Sequence, residues 1–295
     1  MDILFQLERI RTPYLTELFK TFTVFGEHVV LVAIICAIYW CYDKQSAYRI
    51  AFGLFVSAIL VQGLKITFRI PRPWIRNPEL NPVQAVIDTA TGYSFPSGHT
   101  QGATSLFGML ALITRKRWLK VVCLCLIFGV AFSRMYLGVH TLQDVSASVL
   151  VTGAVILIVY QVLNVKFTNR TRKMVAIAIG IGSASLLTYS LVMLTTGTIE
   201  YKYATDSCKA ACAGLGLAIG WYIESSKIQF DVKTTKWYWQ LPKYILGITI
   251  LITIKLVLES ILGSTILGEG ITNFVLVLWI MVFYPLMIKK ASVLL

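Results

Sequence analysis

About nine apolar stretches, each close to 20 residues long and joined by short polar connections, fix what this chain can become. They run over 23–42, 45–67, 98–114, 118–137, 141–164, 172–196, 206–223, 243–263 and 270–290. A helix needs roughly 20 apolar residues to cross the ~30 Å hydrocarbon core of a bilayer, where only helices and closed barrels satisfy their own backbone. The sequence therefore predicts an all-α, polytopic integral membrane protein of about nine transmembrane helices. A single membrane-embedded domain over 1–295 is the simplest organisation, with a core over 45–164 and further membrane helices over 172–290. Composition agrees, with 57% hydrophobic and 14% charged residues, against roughly 25% charged in a soluble domain. The net charge of +13 does not point to nucleic acid. The basic residues sit in short loops between apolar runs, which is the pattern of membrane topology.

Residues 1–22 are amphipathic at helical spacing: Ile3, Leu7, Ile10, Tyr14, Leu18 and Phe22 oppose Glu8, Arg9, Arg11, Glu17 and Lys20. Pro13 breaks or kinks the run. This segment is expected to lie in the membrane interface, with packing on the rim of the bundle an equal alternative. It has no uninterrupted apolar core and no small-residue cleavage site, so no cleavable signal peptide is expected. Cys36, Cys41, Cys123, Cys125, Cys208 and Cys212 lie in or beside apolar runs and are read as buried thiols rather than a metal site.

With nine spans the termini face opposite sides, and the charge count sets which is which. One side carries Lys44, Arg49, Arg115, Lys116, Arg117, Lys120, Lys166, Arg170, Arg172, Lys173, Lys227, Lys233, Lys236, Lys243, Lys289 and Lys290. The amino-terminal side is poorer in lysine and arginine. The richer side, with the carboxyl terminus, is expected in the cytoplasm. Short loops and the lack of a targeting tail point to a bacterial plasma membrane.

The poorer side holds three motifs. They are Lys65-x6-Arg72-Pro73, Pro96-Ser97-Gly98-His99, and Ser133-Arg134-x5-His140-x3-Asp144. Charge in such apolar surroundings is costly and is kept for function. Lys65 and Arg72 follow the second span, Ser97 to His99 open the third, Arg134 ends the fourth and His140 opens the fifth. Alternation puts all four places on one face, so the site is expected to open extracytoplasmically. Pro96-Ser97-Gly98-His99 precedes an apolar run and reads as a helix start, whose backbone N–H groups at Gly98 and His99 face an anion. The Ser97 hydroxyl either touches that anion or caps the helix. Asp144, four residues after His140, can reach one imidazole nitrogen and leave the other free.

The three motifs, complete and in order, resemble the type 2 phosphatidic acid phosphatase superfamily, which includes the glucose-6-phosphatases and the vanadium haloperoxidases. The motif match covers about a quarter of the chain. The resemblance implies a metal-independent phosphatase without a cofactor, acting on a lipid phosphate or pyrophosphate. Undecaprenyl pyrophosphate, phosphatidic acid, phosphatidylglycerol phosphate and a sphingoid phosphate are the candidates. It implies His140 as nucleophile through a phosphohistidine, His99 as general acid, and Asp144 orienting His140. Lys65, Arg72, Ser97, Gly98 and Arg134 would bind phosphate. Forked arginine donors suit the equatorial oxygens of a transferring phosphoryl group. The expected partners are the bilayer and the lipid substrate, not nucleic acid.

A rival metal site would have only His99, His140 and Asp144 as ligands, amid three cations. A glucose-6-phosphatase-like sugar phosphate hydrolase is the enzymatic alternative, given a similar span number. A lipid transporter or binder would not require both histidines and the aspartate. A vanadium haloperoxidase shares the anion site but not the membrane setting. Smaller bacterial lipid phosphatases of the family have about six spans, so the last three here are additional.

Between the first two motifs, Trp74–Phe95 is long for a connector and carries Pro78, Pro82 and Gly92, which favours a lid. The stretch 224–243, with Trp237, Tyr238 and Trp239, reads as a cytoplasmic interfacial loop. Lys255 and Glu259, four apart in the eighth span, are expected to form an ion pair. His28 follows Glu27 in no motif and is given no role.

Overall fold

The computed structural model describes residues 1–87, 90–165, 167–232 and 236–294. Lys166 and Lys233 of the charge count lie outside these, as do two residues of the 74–95 connector. Every one of the nine apolar stretches forms helix, and the chain is a multi-pass membrane protein. The tally of spans differs from nine. Among the described residues six helices are long and apolar enough to cross a bilayer, and a seventh is gained if Pro13–Val24 and His28–Tyr42, bent by 49° at their junction, count as one span.

The two remaining stretches have physical reasons to differ. Gly98–Ala103 continues through a wide turn at Thr104–Gly108 into Met109–Ile113. At 1.5 Å per residue it reaches only about 24 Å, short of the hydrocarbon core. Tyr201–Ile223 carries Lys202, Asp206 and Lys209 and buries Ala204, Ser207, Ala211, Gly214 and Gly216 among others. A helix lined with small residues packs closely against neighbours and needs no lipid-like surface.

The chain divides into two compact units, Met1–Val32 with Phe52–Val162, and Ala33–Ala51 with Leu163–Leu295. In the first, glycines set helix approach. A Cβ on Gly108 would come 2.5 Å from Ile156, and one on Gly102 would come 2.4 Å from Leu31. A buried polar clasp joins the helices Lys44–Phe68 and Gly98–Ala103. The Gln101 amide donates to Ser57 Oγ at 2.7 Å and to the Leu54 carbonyl at 3.0 Å, while the Ser57 and Ser105 hydroxyls meet at 2.9 Å. Such bonds contribute about 0.6 kcal/mol each on average within membranes. Here they fix the helix two residues beyond His99.

The amino-terminal run splits at Thr12. Its hydroxyl accepts from the Leu15 N–H, and Pro13 takes the first turn of the helix Pro13–Val24, where its missing N–H costs nothing. The helix Asp2–Arg9 buries Leu4 and Leu7 against Leu80, Val86, Met135, Tyr136 and Val139. Ile3, Ile10, Tyr14 and Leu18 stay exposed. The connector is tied down by the same cluster. The Arg11 guanidinium donates to the carbonyls of Tyr136 and Asn81, Asn81 donates to Glu8, and the Val83 N–H donates to the Leu137 carbonyl.

The second unit packs the helices Asn169–Thr195, Tyr201–Ile223, Gln240–Leu262 and Ile266–Leu278. Trp40 and Tyr284 stack edge to face at 4.7 Å, with Gly247 beneath them. Buried Glu224 pairs with Lys44 at 3.0 Å. Lys255 and Glu259 meet at 3.5 Å on a half-exposed helix face.

Candidate active site

All eight residues singled out from sequence lie in the first unit, at neighbouring ends of its helices. Lys65 closes the helix Lys44–Phe68, Arg134 closes Arg117–Tyr136, Gly98 and His99 open the next helix, and Asp144 lies in the first turn of Leu142–Leu163. His140 stands in the turn between Arg117–Tyr136 and Leu142–Leu163. Gly138, at φ +80°, makes that turn possible, because a left-handed backbone favours a residue without Cβ. A Cβ there would also meet Arg11 at 2.7 Å. Lys65, Arg72, Ser97, Arg134, His140 and Asp144 are all buried.

Arg72 is the hub. Its Nε donates to the Gly92 carbonyl at 2.8 Å, and Nη1 donates to the Val139 carbonyl at 3.0 Å and lies 2.8 Å from His140 Nε2. Its guanidinium also lies over the Trp74 ring. Lys65 donates to the Tyr93 carbonyl. Two motif cations therefore grip carbonyls at the end of the 74–95 connector. An arginine has no acceptor, so the Arg72 contact makes Nε2 of His140 the acceptor and puts the imidazole proton on Nδ1. Burial, then the neighbouring Arg72 charge, pushes the His140 pKa well below its ordinary value. The ring is neutral at neutral pH, with its Nε2 lone pair directed at Arg72.

Asp144 backs the other nitrogen at 3.6 Å, beyond hydrogen-bond distance but placed to balance positive charge when the ring gains it. The same carboxylate oxygen accepts from the Ser94 hydroxyl at 2.6 Å and the Thr141 N–H at 2.7 Å. The Asp144 carbonyl accepts the Ser97 N–H at 3.1 Å, and Ser148 donates to the Ser97 carbonyl at 2.7 Å. The second and third motifs are thus joined through backbone. The Ser97 hydroxyl takes the capping option, accepting from the Thr100 N–H at 3.4 Å and hydroxyl at 3.0 Å.

Arg134 is fully buried. Its Nη1 donates to Thr23 Oγ1 at 2.7 Å, while Nε and Nη2 have no hydrogen-bond partner among the described residues. His99 Nε2 is also buried without one. His99, His140, Arg72 and Arg134 are close enough for their charges to act on one another. Unpartnered N–H groups on a buried cation are costly and mark a place for an anion. Chemically the cluster offers a neutral imidazole, a second imidazole, a fork of arginine donors and the start of a helix around one point.

Sequence spacing did not single out Ser94, Thr141, Ser148 or Thr23. Ser94 stands two residues before Pro96 and Thr141 directly follows His140, and a polar residue there was the only signal. Thr23 carried none. His28, set aside from sequence, lies within electrostatic range of His99.

Comparison with known proteins places this site in a family. Residues 46–168 match the model of the PAP2 superfamily, and residues 208–293 match that of the PAP2 superfamily phosphatase transmembrane extension. The sphingosine-1-phosphate phosphatase 2 of Homo sapiens is 25% identical over 157 residues, which are 51% of this chain and 38% of that protein. The sphingosine-1-phosphate phosphatase 1 of Rattus norvegicus is 26% identical over 229 residues, 72% of this chain and 52% of that one. The lipid A 4'-phosphatase of Bacteroides thetaiotaomicron is 32% identical over 82 residues, 26% of this chain and 36% of that protein. The chain thus spans between about a third and a little over half of the length of these relatives. The crystal structure of Aquifex aeolicus LpxE aligns with a TM-score of 0.48 at 23% identity, over 54% of this chain and 93% of that one. The last three apolar stretches fall almost wholly within the extension and the three motifs lie inside the first match, so the chain carries a PAP2 superfamily domain followed by the PAP2 transmembrane extension.

Proposed function

We propose that the chain is a membrane phosphatase that hydrolyses a lipid phosphate or diphosphate through a phosphohistidine on His140. The observation that carries this reading is the pairing of a neutral His140 with the unpartnered edge of buried Arg134 and the unpartnered Nε2 of His99. The phosphoryl oxygens meet the Nε and Nη2 hydrogens of Arg134 and the backbone N–H groups at Gly98 and His99, with Lys65 adding charge. Arg72 shifts its Nη1 hydrogen from Nε2 to a phosphoryl oxygen, which frees the lone pair. Nε2 then attacks phosphorus; the N–P bond forms and the P–O bond to the lipid alcohol breaks. Protonated His99, favoured by the adjacent phosphate charge, gives its proton to the leaving oxygen. Asp144 stabilises the positive imidazole through Nδ1–H. Water, losing a proton to His99, then breaks the N–P bond and releases inorganic phosphate. The three cations supply the charge that a metal supplies elsewhere, so the reaction is metal-independent.

A lipid is the substrate class because the site sits at membrane helix ends, and the relatives named above act on a sphingoid phosphate or on lipid A. Of the candidate lipids, a sphingoid phosphate has the longest alignments behind it. Purified protein in detergent is expected to release phosphate from at least one of sphingosine 1-phosphate, phosphatidic acid, phosphatidylglycerol phosphate and undecaprenyl pyrophosphate, with EDTA present. Release from glucose 6-phosphate alone would overturn the lipid assignment, and loss of all activity with EDTA would overturn metal independence.

The site is proposed to face the extracytoplasmic side of a bacterial plasma membrane, with the carboxyl terminus inside, because Lys116, Arg117, Lys120 and their companions cluster at the other helix ends. In intact cells, an impermeant maleimide is expected to label Glu79→Cys above the level of the parent protein and to leave Lys116→Cys at that level. The reverse pattern would invert the orientation.

A further inference from the structure

We infer that Thr23, at the end of the helix Pro13–Val24, is a positioning residue that turns Arg134 towards the phosphoryl group. This rests on the phosphatase reading. Thr23 lies 42 positions before the first motif residue, outside the matched region. Its side chain is buried, and its Oγ1 takes the Nη1 hydrogen of Arg134 at 2.7 Å. The two nitrogens left without partners, Nε and Nη2, form the opposite edge of the same planar guanidinium. A guanidinium held at one corner by a hydroxyl acceptor presents that edge in one orientation, and bidentate contact with a phosphate needs a fixed edge.

The chain around Thr23 is built to reach this point. The helix ends at Val24 and the next begins at His28, with a 49° bend between them. Gly26 fills the break. A Cβ on it would stand 2.8 Å from the His99 carbonyl oxygen, 2.9 Å from its Cβ and 3.0 Å from Val130. The break is therefore wedged between the helix that opens with His99 and the helix that ends with Arg134. Any side chain at position 26 would collide with His99. The bent first span thus becomes a further wall of the anion site, contributing a hydroxyl where the motif segment has none.

The test compares Thr23→Val, Thr23→Ser and Thr23→Ala with wild type, in lipid phosphate hydrolysis and in equilibrium binding of tungstate, a phosphate mimic that needs no turnover. Removing the hydroxyl is expected to lower kcat/KM and tungstate affinity together by about tenfold, with Thr23→Ser within about threefold of wild type. In an Arg134→Lys background the Thr23→Val loss is expected to disappear, since there is no fork left to aim. Wild-type kcat/KM and tungstate affinity in a stable Thr23→Val overturn the inference while leaving the phosphatase reading intact. If Thr23→Val does not fold, equal tungstate affinity in Thr23→Ser and Thr23→Ala overturns it in the same way. A wild-type protein that neither hydrolyses lipid phosphates nor binds tungstate overturns both.

Discussion

His140→Ala is expected to lower kcat for lipid phosphate hydrolysis by at least about 10⁴-fold, the scale on which removal of a covalent nucleophile acts. The protein should still fold. The replaced ring lies in a turn, and Arg72 keeps the carbonyls of Gly92 and Val139 as acceptors. The companion change separates roles. If His99 donates to the leaving oxygen, His99→Gln should cost about 10²–10⁴-fold with a lipid alkoxide leaving group, but less than about tenfold in phosphoenzyme formation from p-nitrophenyl phosphate, whose phenolate needs no proton. His140→Ala should be equally inactive on both. Rapid quench with ³²P-labelled substrate is expected to trap acid-labile label on wild type and none on His140→Ala. Retention of more than about a hundredth of wild-type activity by His140→Ala would exclude it as nucleophile.

This prediction rests on residues that were legible because they sit at helix ends. The spacing His140-x3-Asp144 predicts a carboxylate one helical turn from an imidazole; His140 instead stands in the turn before Leu142–Leu163 and still meets Asp144 at 3.6 Å. Alternation of apolar runs puts Lys65, His99, Arg134 and His140 on one face. Tertiary approach was not legible. The Arg72–His140 contact joins residues 68 apart, Ser94–Asp144 joins residues 50 apart and Thr23–Arg134 joins residues 111 apart. No local pattern encodes these, since each depends on how helix ends converge. The count of nine is not confirmed at Tyr201–Ile223 and Gly98–Ile113, the first less apolar than the other spans and the second shorter. Hydropathy measures preference for lipid, whereas an interior helix meets Ala, Gly and Ser on its neighbours. The break at Phe25–Glu27 was a missed signal, because Gly26-Glu27 interrupts an apolar run with a permissive residue and a charge. The Ser97 hydroxyl shows an ambiguity of chemistry. Capping and phosphate contact use the same lone pairs at the same helix start, and only coordinates separate them.

Asp144→Asn carries the second large expectation, a fall in kcat of about 10³-fold with KM within about threefold of wild type, on the scale seen when a histidine-orienting carboxylate becomes an amide. The change is nearly isosteric, so its effect isolates charge and acceptor capacity from packing. In the native site one carboxylate oxygen faces three donors: the Ser94 hydroxyl, the Thr141 N–H and the proton on His140 Nδ1. An amide must keep its oxygen on that side, because its NH₂ would meet those donors head on. The geometry then survives, and the negative charge does not. Ground-state binding of the phosphate depends on Lys65, Arg72 and Arg134 and should scarcely change. The attacking imidazole, however, becomes positive as the N–P bond forms, and buried beside Arg72 it then lacks the carboxylate charge that balances it at Nδ1. The loss therefore falls on kcat. Ser94→Ala removes one donor and leaves the charge, so about a tenfold loss is expected there, the weight of one charge-assisted hydrogen bond. Steady-state kinetics on the two variants decide the point. Equal losses from Asp144→Asn and Ser94→Ala would mean that Asp144 acts by holding the Ser94–Thr141 turn in place, and that the positive imidazole draws its stabilisation from elsewhere.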